Sequence, residues 1–226
     1  MALPAAGPKR DFTPAVPLLW AYDPIVSLLT REDRWRSALI AQIAPGTAEV
    51  IADIGCGTAS LLIRIARAGR AGTLIGIDPD PRILAKAGAK LDQAGVVAML
   101  RQGYLRDVAE VLGTGGVDKI VSSLVFHQVP LDEKRRGLAA MFAALRPGGE
   151  IHIADYGLQR TAAMRLLFRI VQCVDGFADT QPNADGILPS LMAEAGFTNV
   201  AETRLFNTAT GSISLYRGTR PAAVAA

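Results

Sequence analysis

From residue 50 to residue 155, strand-length apolar runs alternate with helix-patterned stretches, and few folds tolerate that rhythm. Val50 to Ile54 is a short apolar run ending at a glycine-rich loop, and a helical stretch follows from 58 to about 68. Residues 73–77 read as a second strand, ended by Asp78-Pro79-Asp80-Pro81. Asp80 is placed to cap the next helix with Pro81 at its first position, and Gly95 to close it. Residues 97–101 and 117–126 read as the third and fourth strands, with a weakly helical stretch between them. Leu138, Met141, Phe142 and Leu145 form a helical stripe that Pro147-Gly148-Gly149 stops, and 150–155 is a fifth strand. Strands joined through helices run parallel, with helices on both faces of their sheet. The fold class is therefore α/β, doubly wound, and ligands are expected at the carboxyl ends of the strands.

The rhythm breaks at both ends. Pro4, Pro8, Pro14 and Pro17 punctuate the first 17 residues and predict a loose N-terminus. From 18 to 44 the pattern is helical: Thr30 can cap, Trp35, Leu39, Ile40 and Ile43 share a face, and Pro45-Gly46 ends it. Near the other end, Leu188, Leu191, Met192 and Ala195 form a stripe closed by Gly196. The strand-like runs 199–205 and 212–216 lie so close together that they must form an antiparallel hairpin. Residues 157–186 fit no alternation and are the candidate for a cap over the site. Their dense apolar helix (Met164, Leu166, Leu167, Phe168, Ile170, Val171) reads as packed on the sheet edge more readily than as a pocket wall.

Composition removes several classes. Half of the 226 residues are hydrophobic, enough for a full core, and a net charge of +3 is too small to argue for nucleic acid. The densest basic run, Lys134-Arg135-Arg136, opens a predicted helix and reads as a solvated face. No apolar run approaches the roughly 20 residues that a membrane helix requires. Residues 1–10 lack the apolar stretch of a secretory signal. Cys56 and Cys173, the two cysteines, suit a reducing compartment and form no metal-ligand cluster. A cytoplasmic protein with no metal site is expected.

The most informative segment is Asp53-Ile54-Gly55-Cys56-Gly57-Thr58-Ala59, set between a strand and a helix. Its glycines let the backbone turn tightly against a ligand, and the helix start offers free N–H groups. Asp53 would repel a dinucleotide pyrophosphate but suits a ligand bearing an ammonium and a sulfonium. Ser60 stands where the dinucleotide fingerprint has its third glycine. Asp78, 21 residues beyond Gly57, is placed to bind both hydroxyls of a ribose, and helix capping is the plainer alternative.

These segments together resemble the seven-stranded Rossmann-like S-adenosylmethionine methyltransferases. Asp53-x-Gly55-x-Gly57 is similar to their first motif and Ile75-Gly76-Ile77-Asp78 to their second. Gln102-Gly103-Tyr104 sits where many members carry Gly-Asp, and Val117-Asp118-Lys119-Ile120-Val121 where the family writes Phe-Asp-x-Val. Leu145-Arg146-Pro147-Gly148-Gly149 is similar to its Leu-x-Pro-Gly-Gly turn. The resemblance implies a mostly parallel sheet of order 3-2-1-4-5-7-6 with strand 7 antiparallel. It divides the chain into an N-terminal helical lid, 1–46, and a cofactor domain, 47–220, with a cap insertion at about 157–186. It also implies a cofactor-binding set of Asp53, Gly55, Cys56, Gly57, Asp78, Pro79, Gly103, Tyr104 and Ser123. In that set Asp53 and the loop backbone hold the methionine end, Asp78 holds the ribose, and 103–105 line the adenine. Tyr104 replaces the frequent Asp, so either Tyr104 stacks on the adenine or Asp107 replaces the lost carboxylate.

Trp20-Ala21-Tyr22-Asp23 and Leu124-Val125-Phe126-His127-Gln128 are similar to the branch that methylates small molecules, ubiquinone and menaquinone C-methyltransferases among them. That implies S-adenosylmethionine as cofactor, S-adenosylhomocysteine as product and a small-molecule acceptor, with no nucleic acid; the oligomeric state stays open, a homodimer included. The catalytic candidates are His127, as base or acceptor-orienting group, Tyr22, as an aromatic face toward the sulfonium, and Asp155. The competing classes are an NAD(P)-dependent oxidoreductase and a non-catalytic module that only binds S-adenosylmethionine.

Overall fold

The structure is a computed structural model that describes residues 31–69 and 72–223. Helix α1 (Glu32–Ile43) buries Trp35, Leu39 and Ile43 on the face read from the sequence. Thr30 and the rest of 18–30 lie outside the described residues. Then come β1 (Val50–Ile54), α2 (Ser60–Ala68), β2 (Thr73–Asp78), α3 (Pro81–Ala94) and β3 (Met99–Gln102). Asp80 caps α3 by accepting the Arg82 N–H at 2.8 Å, and Gly95 closes it in a left-handed conformation. A 3-10 turn (Leu105–Asp107) and α4 (Val108–Leu112) lead to β4 (Val117–Ser123), followed by α5 (Leu131–Ala144) and β5 (Leu145–Tyr156). The last elements are α6 (Ala162–Asp175), α7 (Phe177–Ala184), α8 (Leu188–Glu194), β6 (Thr198–Thr208) and β7 (Gly211–Thr219).

The sheet order is β3-β2-β1-β4-β5-β7-β6, as the resemblance implies. β1 through β5 pair in parallel, and β7 runs antiparallel to both β5 and β6. Because strand side chains alternate, neighbouring residues feed two cores. Ile51 and Val121 pack with α1, α2, α3 and α6, whereas Ala52 and Ile120 pack with α4, α5 and α8. The direction of α1 matters for the site. Lys119, near the amino end of β4, donates to the Ala44 carbonyl just past the end of α1. The first turns of α1 therefore point to the carboxyl edge of the sheet.

Several element bounds differ from the sequence pattern. β4 stops at Ser123 because Leu124 turns left-handed (φ 56°), and 126–128 form a 3-10 turn in place of strand. β5 starts earlier than the pattern, at Leu145, with Gly148 and Gly149 tied by backbone bonds to Arg220. Only Ala209 and Thr210 separate the hairpin strands. Lys134 is not on a solvated face. It is wholly buried, and its ammonium donates to the carbonyls of Val129 (2.5 Å) and Asp179 (2.8 Å); Arg135 and Arg136 are the exposed members of that run. Helix α6 seats Phe168 and Val171 on β7 while Leu166, Ile170 and Val174 stay open.

Leu39 and Leu166 mark the two extremes, at 0% and 68% exposure. Leu39→Ala is expected to cost about 2–5 kcal/mol through the cavity it leaves, and Leu166→Ala to stay within about 0.5 kcal/mol, both measured by chemical denaturation.

Candidate active site

Gly55 and Gly57 both take positive φ (74° and 53°), which turns the chain sharply off β1. A side chain at Gly55 would also overlap Val125, so the loop lies close against the segment following β4. The N–H groups of Gly55 and Cys56 donate to one acceptor, the Ile77 carbonyl, at 2.8 and 2.9 Å. One residue on, Asp78 accepts from Gly57 N–H and Asp80 N–H, both at 3.0 Å. Helix capping thus falls to Asp80, and Asp78 is fastened between the loop and α3. Burial raises the Asp78 pKa, and the two N–H groups oppose that rise.

Asp53 is 1% exposed at the carboxyl end of β1, and neither carboxylate oxygen has a hydrogen-bond partner. Burial pushes its pKa up to about 7, Arg36 holds it down and Asp78 adds to the rise. A buried carboxylate whose oxygens have no hydrogen-bond partner, beside a glycine loop, is suited to receive a cationic group. Around the loop, Gly103 donates to the Asp78 carbonyl at 3.3 Å and Pro79 accepts from Gln102 at 3.1 Å. Tyr104 donates its N–H to Asp107 at 3.0 Å and carries the Arg106 guanidinium 4.5 Å from its ring centre. Asp107 is therefore already engaged with backbone. Cys56 is buried and its thiol pKa is raised by that burial, which leaves it inert as a nucleophile. Ser123 ends β4, half-buried, beside Ala154 of β5.

The second group of charges lies at the carboxyl ends of β4 and β5. Asp155, with no exposed surface, accepts from Val125, Phe126 and Tyr156 N–H at 2.7–2.9 Å. It also holds His127 Nδ1 at 2.7 Å, and Asp175 from the end of α6 reaches His127 Nε2 at 3.4 Å. Burial disfavours the imidazolium, but the two carboxylates outweigh it and raise the pKa to about 9. His127 is thus charged at neutral pH. Lys134 closes the cluster; burial lowers its pKa to about 8, against the charges of Asp155 and Asp179. The sequence reading missed the parts played by Asp175 and Lys134, which arise from contacts 48 and 45 residues apart in the chain (175 − 127 and 179 − 134). Tyr22 lies outside the described residues.

Residues 51–149 match the family model of a methyltransferase domain. An uncharacterized methyltransferase of Synechocystis sp., sll0829, is 26% identical over 190 residues, which span 80% of this chain and 84% of that protein. The ubiquinone/menaquinone biosynthesis C-methyltransferase UbiE of Vibrio cholerae is 27% identical over 190 residues, covering 74% and 70%. In fold, the chain is similar to the magnesium protoporphyrin IX methyltransferase of Synechocystis PCC 6803 with bound S-adenosylhomocysteine: TM-score 0.65, 20% identity, 89% and 87% covered. The sheet order, the loop and these matches agree with a seven-stranded Rossmann-like methyltransferase domain built around residues 51–149. UbiE is among the relatives of the chain.

Because its folded pKa lies above the ordinary 3.8, Asp53 favours the folded state when protonated. That contribution is complete below about pH 4 and is lost as pH rises toward 7. Relative to Asp53→Asn, the ligand-free wild type is expected to lose stability from pH 5 to pH 7 and then level off, measured by denaturation across that range. Parallel profiles would show that the carboxyl titrates normally.

Proposed function

We propose that this chain transfers a methyl group from S-adenosylmethionine to a small molecule held between the carboxyl ends of β4 and β5 and the cap helices α6 and α7. The observation that carries it is the unpaired Asp53 carboxylate, set on the same sheet edge as the His127–Asp155 pair. S-adenosylmethionine supplies an electrophilic methyl on a good leaving group, so holding and dehydrating the acceptor can supply much of the rate. Asp53 and the backbone of Gly55, Cys56 and Gly57 receive the methionine end, and Asp78 the ribose hydroxyls. Pro79, Gly103 and Tyr104 line the adenine, and Ser123 faces the cofactor. His127 already holds its proton between two carboxylates, so it serves to orient the acceptor and fix the loop rather than as a base. Asp155 positions that loop and His127 together. Helix α1 serves as the described part of the lid, and 157–186 serve as the cap.

An acceptor of metabolite size is supported by the relatives, since UbiE is named for ubiquinone and menaquinone biosynthesis and the Synechocystis structure for a porphyrin. Among the described residues no helix is long and apolar enough to cross a membrane and no His/Cys/Asp/Glu group could hold a metal. With both cysteines free, a cytoplasmic setting fits.

Calorimetric titration with S-adenosylmethionine, S-adenosylhomocysteine and NADH, followed by labelled-methyl transfer to a panel of phenols, quinols and amines, tests this. Both sulfur nucleotides are expected to bind, with NADH silent and label appearing on a panel member. Label on protein or RNA alone would refute the acceptor class. Asp78→Ala is expected to weaken S-adenosylmethionine about tenfold or more (~1.4 kcal/mol) through lost charge-assisted hydrogen bonds. His127→Gln is expected to lower turnover with cofactor affinity nearly unchanged; unchanged turnover would leave His127 a purely structural residue.

A further inference from the structure

Asp53 answers only half of the charge on a methionine group. That group carries an ammonium and a carboxylate on one carbon, so a site that buries both must meet the second with a cation. Helix α1 brings one to the place required. With its C-terminal end held near the amino ends of the strands, its first turns point to the carboxyl edge, where the glycine loop lies. Trp35 is wholly buried in the apolar cluster that also takes in Cys56 and Ala59 of that loop, so this face of α1 is turned inward. Arg36 follows, its guanidinium 5.2 Å from the Trp35 ring centre and its Nε 2.6 Å from the Glu32 carboxylate. Both partners of that ion pair are only 13–14% exposed, so screening by water is weak. Its positive charge also reaches Asp53.

Glu32, Arg36 and Asp53 thus alternate in sign beside the loop. An amino-acid zwitterion fits that pattern, with its ammonium toward Asp53 and its carboxylate toward Arg36. A guanidinium has five N–H donors, enough to keep Glu32 and bind a second carboxylate. We propose that Arg36 binds the carboxylate of the cofactor's methionine group, with Glu32 as its positioning partner. This rests on the placement of S-adenosylmethionine beside Asp53. The lid helix is then part of the cofactor site, and recognition of the free amino-acid end requires α1 in place.

Decarboxylated S-adenosylmethionine keeps the ammonium, sulfonium and ribose and lacks only the carboxylate, so it isolates this contact. The full chain and its Arg36→Met, Arg36→Lys and Glu32→Gln variants are titrated with both ligands, each variant first checked for a native melting transition. The wild type is expected to prefer the carboxylated ligand about tenfold or more. Arg36→Met should abolish that preference by weakening only S-adenosylmethionine, Arg36→Lys should keep part of it, and Glu32→Gln should reduce it. Equal loss of both ligands in a folded Arg36→Met would overturn the proposal, as would a wild type indifferent to the carboxylate. If Arg36→Met does not fold, Arg36→Lys decides, because its preference must fall between parity and that of the wild type. A wild type that binds neither ligand would instead overturn the cofactor placement itself, and this proposal with it.

Discussion

Two backbone N–H groups, from Gly55 and Cys56, share the carbonyl of Ile77, and the geometry of the cofactor side depends on that crossing. It ties the loop after β1 to the end of its neighbour β2 and leaves Asp53 and Asp78 on one rim. The glycines make the crossing sterically possible, and the close approach of Val125 makes a side chain at Gly55 intolerable. The Asp78 carboxylate then locks the loop through Gly57 and the start of α3 through Asp80. One carboxylate thus organises the rim while its neighbour, Asp53, is held at an electrostatic cost. That cost is relieved when a cation arrives, which makes ligand binding and local stability two sides of one balance.

On the acceptor side Asp155 plays the organising part. Three N–H groups and an imidazole converge on its carboxylate, so the loop after β4 is shaped by a strand-5 side chain rather than by its own sequence. The left-handed Leu124 is the price of that convergence. Asp175 extends the network from β5 to α6, and Lys134 extends it from α5 to α7. Charged groups buried this deeply are tolerated because each is matched by a carboxylate or by carbonyl oxygens.

Much of this was legible in the sequence because it is local. Asp80-Pro81 announces its helix, Gly55-Cys56-Gly57 its turn, and the short spacing of the last two strands their antiparallel pairing. Asp53 and Asp78 could be singled out because their positions relative to the loop are set by a few residues of chain. Lys134 could not. Its neighbours Arg135 and Arg136 do face solvent, and the carbonyls that turn the first of three cations inward include one 45 residues away. His127 was visible as a residue near the site, but its charge depends on Asp155 and then Asp175, which the chain's spacing does not connect to it. Strand ends were blurred for a related reason: β6 is an edge strand with largely open residues, so its alternation carries little apolar contrast.

The burial of Lys134 bears on how anything enters and leaves. Its ammonium fastens the loop after β4 to α7, while His127 and Asp175 fasten the same loop to the end of α6. Swinging either cap helix outward alone would strand a buried charge, at a cost of several kcal/mol. Helices α6 and α7 and the loop after β4 therefore hold together as one piece, and any opening there has to move them as a unit.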